Sequence, residues 1–209
     1  MGIGDKRIRD FAEETAAPTP TPGGGSAAAV CGALSAALAR MVAGLAVGKD
    51  DYLDSQDELR RIQEEGKSLQ ERLLALADED SAAYDSVAAA LKMPKATPED
   101  KKRRTEALQA ALKKAAEVPL STMERCNEVI MLSKRALEKG SKSAFTDAGS
   151  ASLIALAALR AAALNARVNI LSIKDETFSS QLRIKVSSLL KSGEETAKQT
   201  ELLVESQLV

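Results

Sequence analysis

Asp80 interrupts an otherwise apolar helical seam. The seam is formed by residues spaced alternately three and four apart: Leu59, Ile62, Gly66, Leu69, Leu73, Leu76, Asp80, Ala83 and Val87. A carboxyl group in an apolar wall has a raised pKa and can exchange protons near neutral pH. Asp80 is therefore a candidate general base. The alternative is a structural ion pair with an Arg or Lys of a neighbouring helix.

A second candidate region is the segment PTPTPGGGS, which precedes a helix rich in small residues. Its prolines keep residues 17–22 extended. Gly23, Gly24 and Gly25 permit positive φ and close approach of a ligand to the backbone. Ser26 is a good N-cap. The free N–H groups at such a helix start suit an anion or a polar ring edge.

A third group of polar residues lies on a second small-residue helix, which is predicted to begin at Asp147. Asp147, Asn165 and Asn169 share one helical face with Ala and Ile residues. Buried amides need hydrogen-bond partners. Asn165 and Asn169 therefore either bind a ligand or join helices, and Asp147 is either functional or a plain N-cap.

Composition restricts the chemistry. The 209 residues include no His and no Trp, so an acid–base catalyst must be Asp, Glu, Lys, Tyr, Cys or a water network. The net charge of −1 argues against nucleic-acid binding. Cys31 and Cys126 are too few for a disulfide framework or a metal cluster, and we expect both to be reduced, buried residues of a cytoplasmic protein.

The predicted elements are all helices. They cover residues 5–16, 27–47, 51–91, about 98–139, 147–172 and about 174–203, with Pro119 expected to kink or divide the fourth and Gly140 to end it. No β pattern is present. The fold class is all-α, a single domain (residues 1–209) forming a bundle of long antiparallel helices, with the two Ala-rich helices buried.

The segment Ala27–Val47 is long enough to span a bilayer, but it is poor in Leu, Ile and Phe and contains Arg40. We therefore expect no membrane association, and a buried structural ion pair for Arg40. The N-terminus has no pattern of a secretory signal. The basic cluster Lys101–Arg104 is either a solvated first turn or a docking site for an anionic glutamate tail.

Three blocks carry a family resemblance: PTPGGGSAAA with the helix ending MVAGLAVGK, then DEDSAAYDSVAAALKMPK, then TDAGSASLIALAALRAAALNARVNILSIKD. Together they resemble the cyclodeaminase/cyclohydrolase family of folate enzymes along the whole chain. One departure is that Ser141 and Ser143 stand where the family usually has asparagines.

The resemblance implies the following site. The expected catalytic residues are Asp80, Lys95 and Asp147; the expected substrate-binding residues are Gly23, Gly24, Gly25, Ser26, Tyr84, Asn165 and Asn169. Without the resemblance, Lys95 is equally explained as a solvated loop lysine. No metal and no organic cofactor is expected, because the folate is the substrate.

The function that we expect is hydrolysis of 5,10-methenyltetrahydrofolate to 10-formyltetrahydrofolate by carboxylate/lysine acid–base catalysis. Two alternatives stay open: a formimidoyltetrahydrofolate cyclodeaminase that releases ammonia, and a non-catalytic helical adaptor. The partner is then a folate, with or without a polyglutamate tail. The small-residue helices predict a homodimer, and the resemblance implies that the site lies near its interface.

Overall fold

The computed structural model describes residues 2–208, in which six α-helices account for most of the chain and no strand occurs. The helices are α1 (Ile8–Ala16), α2 (Gly24–Gly44), α3 (Gln56–Lys92), α4 (Pro98–Lys139), α5 (Phe145–Ile170) and α6 (Glu176–Leu208). Short 3-10 turns occupy Ile3–Asp5, Asp50–Ser55 and Lys142–Ala144. The predicted all-α fold class is confirmed.

One side of helix α2 lies in the core of the bundle, while residues such as Leu34 and Met41 are exposed. The helix packs against α3, α4 and α5, while α4 packs against α3, α5 and α6. The small side chains of α2 and α5 allow this close approach, and Ala29, Ala36, Ala155 and Ala162 are fully buried. The core side chains from the longer helices are mostly branched, since Leu59, Ile62, Leu73 and Leu76 of α3 are fully buried as their seam predicts.

Local signals set most helix ends. Thr97 caps α4 by accepting a hydrogen bond from the Asp100 N–H at 3.1 Å, and Pro98 occupies the first helical position. Gly140 follows the last residue of α4. These boundaries are as predicted. Pro119 does not divide α4, which is continuous through it.

Helices α1 and α3 begin later than predicted, at Ile8 and Gln56, and the two small-residue helices α2 and α5 begin earlier than predicted. Helix α2 begins at Gly24 with Gly23 as N-cap, so Gly24, Gly25 and Ser26 form its first turn and Ser26 is fully buried. None of Gly23, Gly24 and Gly25 has a positive φ. Helix α5 begins at Phe145 after Ala144, so Asp147 lies inside its first turn and is not the N-cap.

Among residues 2–208, Arg40 has no carboxylate partner, so the expected ion pair is not found there. Its Nη1 donates a hydrogen bond to Gln70 Oε1 at 2.6 Å, so its partner is a neutral amide of α3. The stem of Arg40 crosses α3 at Gly66, where a Cβ would lie 2.4 Å from Arg40 Cγ. Glycine in the α3 seam is thereby explained, because it makes room for an arginine rather than for a ligand.

Two helical stretches are long and apolar enough to cross a membrane by length and composition, Gly24–Gly44 and Lys142–Ile170. About half of each stretch is buried in the bundle, 50% and 44%. Core helices of a bundle meet the same criterion. Of the two cysteines, Cys126 is buried as predicted, and its burial raises the pKa of the thiol to about 12. Cys31 is exposed, which corrects the expectation for that residue.

Candidate active site

A cleft of about 280 Å³ lies where α2 begins, between α3, α4 and α5. It is lined by Pro20, Thr21, Gly23, Gly24, Gly25, Asp80, Ala83, Tyr84, Val87, Ala115, Asn165, Val168 and Asn169. The fold thus brings together most of the predicted site residues. They come from the glycine segment, from the centre of α3 and from the end of α5.

Asp80 lies against the first turn of α2. A Cβ at Gly25 would stand 2.1 Å from Asp80 Oδ1 and 2.6 Å from Oδ2, which no side chain could tolerate without a shift. Glycine is required at this position because a carboxylate approaches the backbone closely. The predicted close approach is therefore present, but the group that approaches belongs to the protein itself.

Ser26 is the buried partner of this carboxyl group. Its Oγ lies 3.0 Å from Asp80 Oδ2 and 2.9 Å from the carbonyl oxygen of Ala77. The hydroxyl has one hydrogen and can donate it to only one of these oxygens at a time. When Asp80 is protonated, its own O–H can donate to Ser26 Oγ while Ser26 donates to Ala77. Both protonation states of Asp80 therefore fit this environment.

Burial raises the pKa of Asp80 above its ordinary value, and hydrogen bonds from the side chain and backbone of Ser26 offset only part of this effect. The partial positive charge at the start of α2 also favours the ionised form. No Arg or Lys of residues 2–208 forms an ion pair with Asp80. The alternative of a structural ion pair for Asp80 is therefore wrong.

The side chain of Asn169 makes a hydrogen bond to the backbone of α4, which the sequence alone does not predict. Its Nδ2 donates to the carbonyl oxygen of Ala115 at 2.6 Å. Ala115 lies four residues before Pro119, which has no N–H, so this carbonyl lacks its normal intrahelical donor. The Asn169 amide replaces that donor and joins α5 to α4. Its carbonyl oxygen stays available on the cleft wall.

Asn165 lies one turn earlier on α5. Its Nδ2 donates to the carbonyl oxygen of Ala161 in the same helix at 3.0 Å, and a Cβ at Gly24 would lie 3.4 Å from this nitrogen. Tyr84 follows Asp80 by one turn of α3 and is 45% exposed, so its ring forms part of the open rim. The cleft therefore combines a desolvated carboxyl group, two amides and an aromatic ring.

Lys95 and Asp147 do not line this cleft. Lys95 is exposed beyond the end of α3, and Asp80 is about 18 Å along the axis from that end. Asp147 lies at the opposite end of α5, about 27 Å along the axis from Asn165. Asp147 shares a helical face with Asn165 and Asn169 in projection only. The geometry of one chain does not support the catalytic roles expected for them.

Some lining residues were missed by the sequence reasoning. Val168 could have been found, because it stands between the two asparagines of α5. Ala115 had a signal in its spacing from Pro119. Pro20 and Thr21 belong to the segment already singled out. Within residues 2–208, no group of three or more Cys, Asp and Glu side chains converges in a way that could hold a metal ion.

A larger groove, of about 660 Å³, lies between α3 and α4 on another face of the bundle. Its arginines are already paired: Arg72 with Glu79, Arg125 with Glu128 at 3.0 Å, and Arg135 with Glu58 at 2.6 Å and Glu65 at 2.5 Å. Its charge is compensated within the protein. The smaller cleft is the better candidate because its carboxyl group has no cationic partner within the described part of the chain, residues 2–208.

The helical bundle and its cleft define a class, namely all-α proteins in which a desolvated carboxyl group lines a cleft at the start of a small-residue helix. The chain belongs to the family described as formiminotransferase-cyclodeaminase, whose model matches residues 7–188. The resemblance seen in the three sequence blocks is thereby confirmed.

Individual relatives agree with this placement. The chain is 40% identical over 187 residues to a methenyltetrahydrofolate cyclohydrolase of Methylorubrum extorquens, covering 90% of each protein. It is 34% identical to a formimidoyltransferase-cyclodeaminase of Rattus norvegicus, of whose length the match spans 36%. The crystal structure of a formiminotetrahydrofolate cyclodeaminase from Thermotoga maritima superposes with a TM-score of 0.90 at 27% identity, covering 99% of this chain and 100% of that one.

Proposed function

We propose that this enzyme hydrolyses 5,10-methenyltetrahydrofolate to 10-formyltetrahydrofolate. The observation that carries the proposal is the position of Asp80, a desolvated carboxyl group in a cleft, without an Arg or Lys partner among residues 2–208. The bridging ring of methenyltetrahydrofolate is an amidinium cation, which would supply the missing positive charge. The 40% identity to a methenyltetrahydrofolate cyclohydrolase over 90% of both chains supports the same reaction.

The chemistry requires one water molecule and one mobile proton. Water attacks the carbon between N5 and N10, and the Asp80 carboxylate accepts a proton from that water as the C–O bond forms. Asp80 then returns the proton to N5 as the C–N5 bond breaks. Loss of the remaining hydroxyl proton gives the formyl group on N10. Water is consumed, one proton is released, and no redox or metal step is needed.

The other cleft residues suit the pterin half of the substrate. The pterin ring carries N–H groups, and these can donate hydrogen bonds to the carbonyl oxygens of Asn165 and Asn169. Tyr84, Val87 and Val168 supply apolar walls for its faces. A volume of about 280 Å³ is at the lower limit of ligand pockets and is adequate for fused rings rather than for a complete folate.

The second candidate function is cyclodeamination of formimidoyltetrahydrofolate. It is favoured by the likeness to the Thermotoga maritima cyclodeaminase over the whole chain. In that reaction N10 attacks the formimino carbon on N5 and ammonia leaves, so the tetrahedral carbon lies at the same place. Asp80 would again transfer the protons, which means that the cleft serves both reactions.

We also propose that the enzyme is a cytoplasmic homodimer. Helix α2 has an outward stripe of apolar residues at alternating three and four spacing, Cys31, Leu34, Leu38, Met41 and Leu45. Of these, Leu34 is 53% exposed and Met41 41% exposed. This spacing is the one by which helices pack against each other. A second copy is the natural occupant, since its own stripe offers the same geometry, and the stripe leads directly to the cleft at the start of α2.

The deciding experiment follows the absorbance of methenyltetrahydrofolate with purified enzyme, at a pH where spontaneous hydrolysis is slow. We expect enzyme-dependent loss of the methenyl absorbance and formation of 10-formyltetrahydrofolate. A parallel assay with formimidoyltetrahydrofolate measures ammonia. Ammonia release without hydrolysis of the methenyl substrate would favour the second function, and no turnover in either assay would overturn both.

A further inference from the structure

A second groove, of about 550 Å³, adjoins the candidate active site between α5 and α6. It is lined by Leu164, Arg167, Val168, Ile170, Leu171, Arg183, Val186 and Ser187. Val168 lines both the groove and the cleft that contains Asp80. A ligand that fills the cleft can therefore extend over Val168 into the groove.

The groove has apolar walls and two guanidinium groups. Leu164 and Val168 of α5 and Leu171 just after its end are exposed by 66%, 58% and 79%, which is unusual for three neighbouring branched side chains. Arg167 forms no ion pair among residues 2–208, and Arg183 has only a 3.5 Å contact with Glu176, whose side chain is 79% exposed. Such an exposed pair contributes little, so both arginines can bind another anion.

We propose that this groove binds the p-aminobenzoyl-glutamate half of the folate substrate. The inference rests on the proposed function and extends it. The cleft is too small for a whole folate, and its continuation must be apolar for the benzoyl ring and cationic for the two carboxylates of glutamate. The groove meets both requirements. Arg167 and Arg183 bind the carboxylates, and the benzoyl ring packs on Leu164, Val168 and Leu171.

The basic cluster at the start of α4 is a poorer match for the glutamate. Arg103 pairs with Asp100 at 3.2 Å, and Arg104 donates to the carbonyl oxygen of Leu91 at 3.2 Å. Their hydrogen bonds are therefore used within the protein. Among residues 2–208, the guanidinium of Arg167 has no ion pair, and Arg167 is next in sequence to Val168, which lines the active-site cleft.

The test compares two substrates that differ only in the glutamate, methenyltetrahydrofolate and methenyltetrahydropteroate. Arg167→Gln should lower kcat/KM about tenfold for the folate, mainly through KM, because one hydrogen-bonded charge contact is lost. It should leave kcat/KM for the pteroate unchanged. The matched control is Arg160→Gln. It removes a guanidinium of the same helix that is already paired with Glu194 at 2.9 Å, so kcat/KM should stay unchanged for both substrates.

Equal effects of Arg167→Gln on both substrates, or no effect, would overturn the proposal. If the groove is instead covered by a second copy of the chain, Arg167→Gln should change the molecular mass measured by light scattering. It should then lower kcat/KM equally for both substrates, and this result would also overturn the proposal. A wild-type enzyme that turns over neither substrate refutes the proposed function separately. Calorimetry with p-aminobenzoyl-glutamate then tests whether the groove binds this half of the folate. The proposal requires that the wild type binds it and that Arg167→Gln binds it more weakly.

Discussion

The carboxyl group of Asp80 occupies the space in which Gly25 would carry a side chain. A Cβ at Gly25 would lie 2.1 Å from Asp80 Oδ1, although the two residues are far apart in the sequence and belong to α2 and α3. A helix start whose N–H groups face a carboxylate normally stabilises the charge. Here burial dominates and raises the pKa of Asp80. The pair therefore holds a carboxyl group that can both accept and return a proton.

We predict that Gly25→Ala strongly impairs turnover. The new methyl group must displace the Asp80 carboxylate or the start of α2, and the overpacking should lower the free energy of unfolding by about 1–3 kcal/mol. The measurement is kcat/KM for methenyltetrahydrofolate together with chemical denaturation. Helical content by circular dichroism should barely change.

Gly24→Ala is the matched control for that variant. Its Cβ would make an ordinary 3.4 Å contact with Asn165 Nδ2, so folding and turnover should be nearly preserved. The bulkier Gly24→Val should crowd Asn165 and weaken folate binding, as measured by calorimetry. If Gly25→Ala were as active as Gly24→Ala, the position of the carboxylate would not matter for catalysis.

We predict that Asp80→Asn separates catalysis from stability. The amide keeps the volume and most hydrogen bonds but cannot accept the proton of the attacking water, so kcat should fall by about a hundredfold or more. Thermal stability should stay level or rise, because a desolvated charge has been removed. Asp85→Asn, an exposed aspartate of the same helix, is the control. An Asp80→Asn enzyme with normal kcat would contradict the general-base role.

The raised pKa of Asp80 predicts opposite pH effects on activity and stability. Activity requires the ionised carboxylate, so kcat/KM should fall as the pH drops through the raised pKa. Between the unfolded and folded pKa values the folded state binds more protons, so the free energy of unfolding decreases as the pH rises through that window. The measurement is denaturation of wild type and Asp80→Asn at a series of pH values. As the pH rises through the window, the wild type should lose stability relative to Asp80→Asn, and above the window the difference should stay constant.

The apolar periodicity predicted the fold and part of the site. The seam of α3 identified Asp80 because one carboxylate stood in a row of buried residues, and the glycine segment identified its neighbour Gly25. The helical wheel wrongly grouped Asp147 with Asn165. A wheel shows which residues share a face of α5, but it does not show that these two are about 27 Å apart along the helix axis. The conformational freedom of glycine suggested a positive φ in the glycine segment, but Gly23, Gly24 and Gly25 have none, and Gly25 instead permits close packing against Asp80.

The hydrogen-bond partners could not be obtained from the sequence. Periodicity shows which helix faces are buried, but not which side chain lies across from which. Arg40 was expected to meet a carboxylate and meets Gln70. Ser26 was expected to cap α2 and is buried beneath Asp80. Both errors have one cause: the start of α2 and the crossing of α2 over α3 are set by close packing of small residues, which has no strong periodic signal.

We predict that the outward stripe of α2 holds the dimer together. Met41→Glu places a charge on the stripe and should shift the protein to a monomer in light scattering at micromolar concentration, because burying an unpaired charge is costly. The control is Met131→Glu on α4, a methionine of similar exposure, 50% against 41%, which faces the groove between α3 and α4. A dimer unchanged by Met41→Glu, or a wild-type monomer, would refute this arrangement.

The last prediction concerns Asn169 and Pro119. Asn169→Leu removes the donor to the Ala115 carbonyl and should lower the free energy of unfolding by about 1–3 kcal/mol, the cost of a buried unsatisfied acceptor.

Pro119→Ala supplies a backbone N–H at the position from which α4 itself can reach that carbonyl. In the Pro119→Ala background, Asn169→Leu should therefore cost clearly less than in the wild type. Denaturation of the two single variants and the double variant measures the coupling. Additive effects would mean that the amide of Asn169 does not replace the hydrogen bond that Pro119 removes.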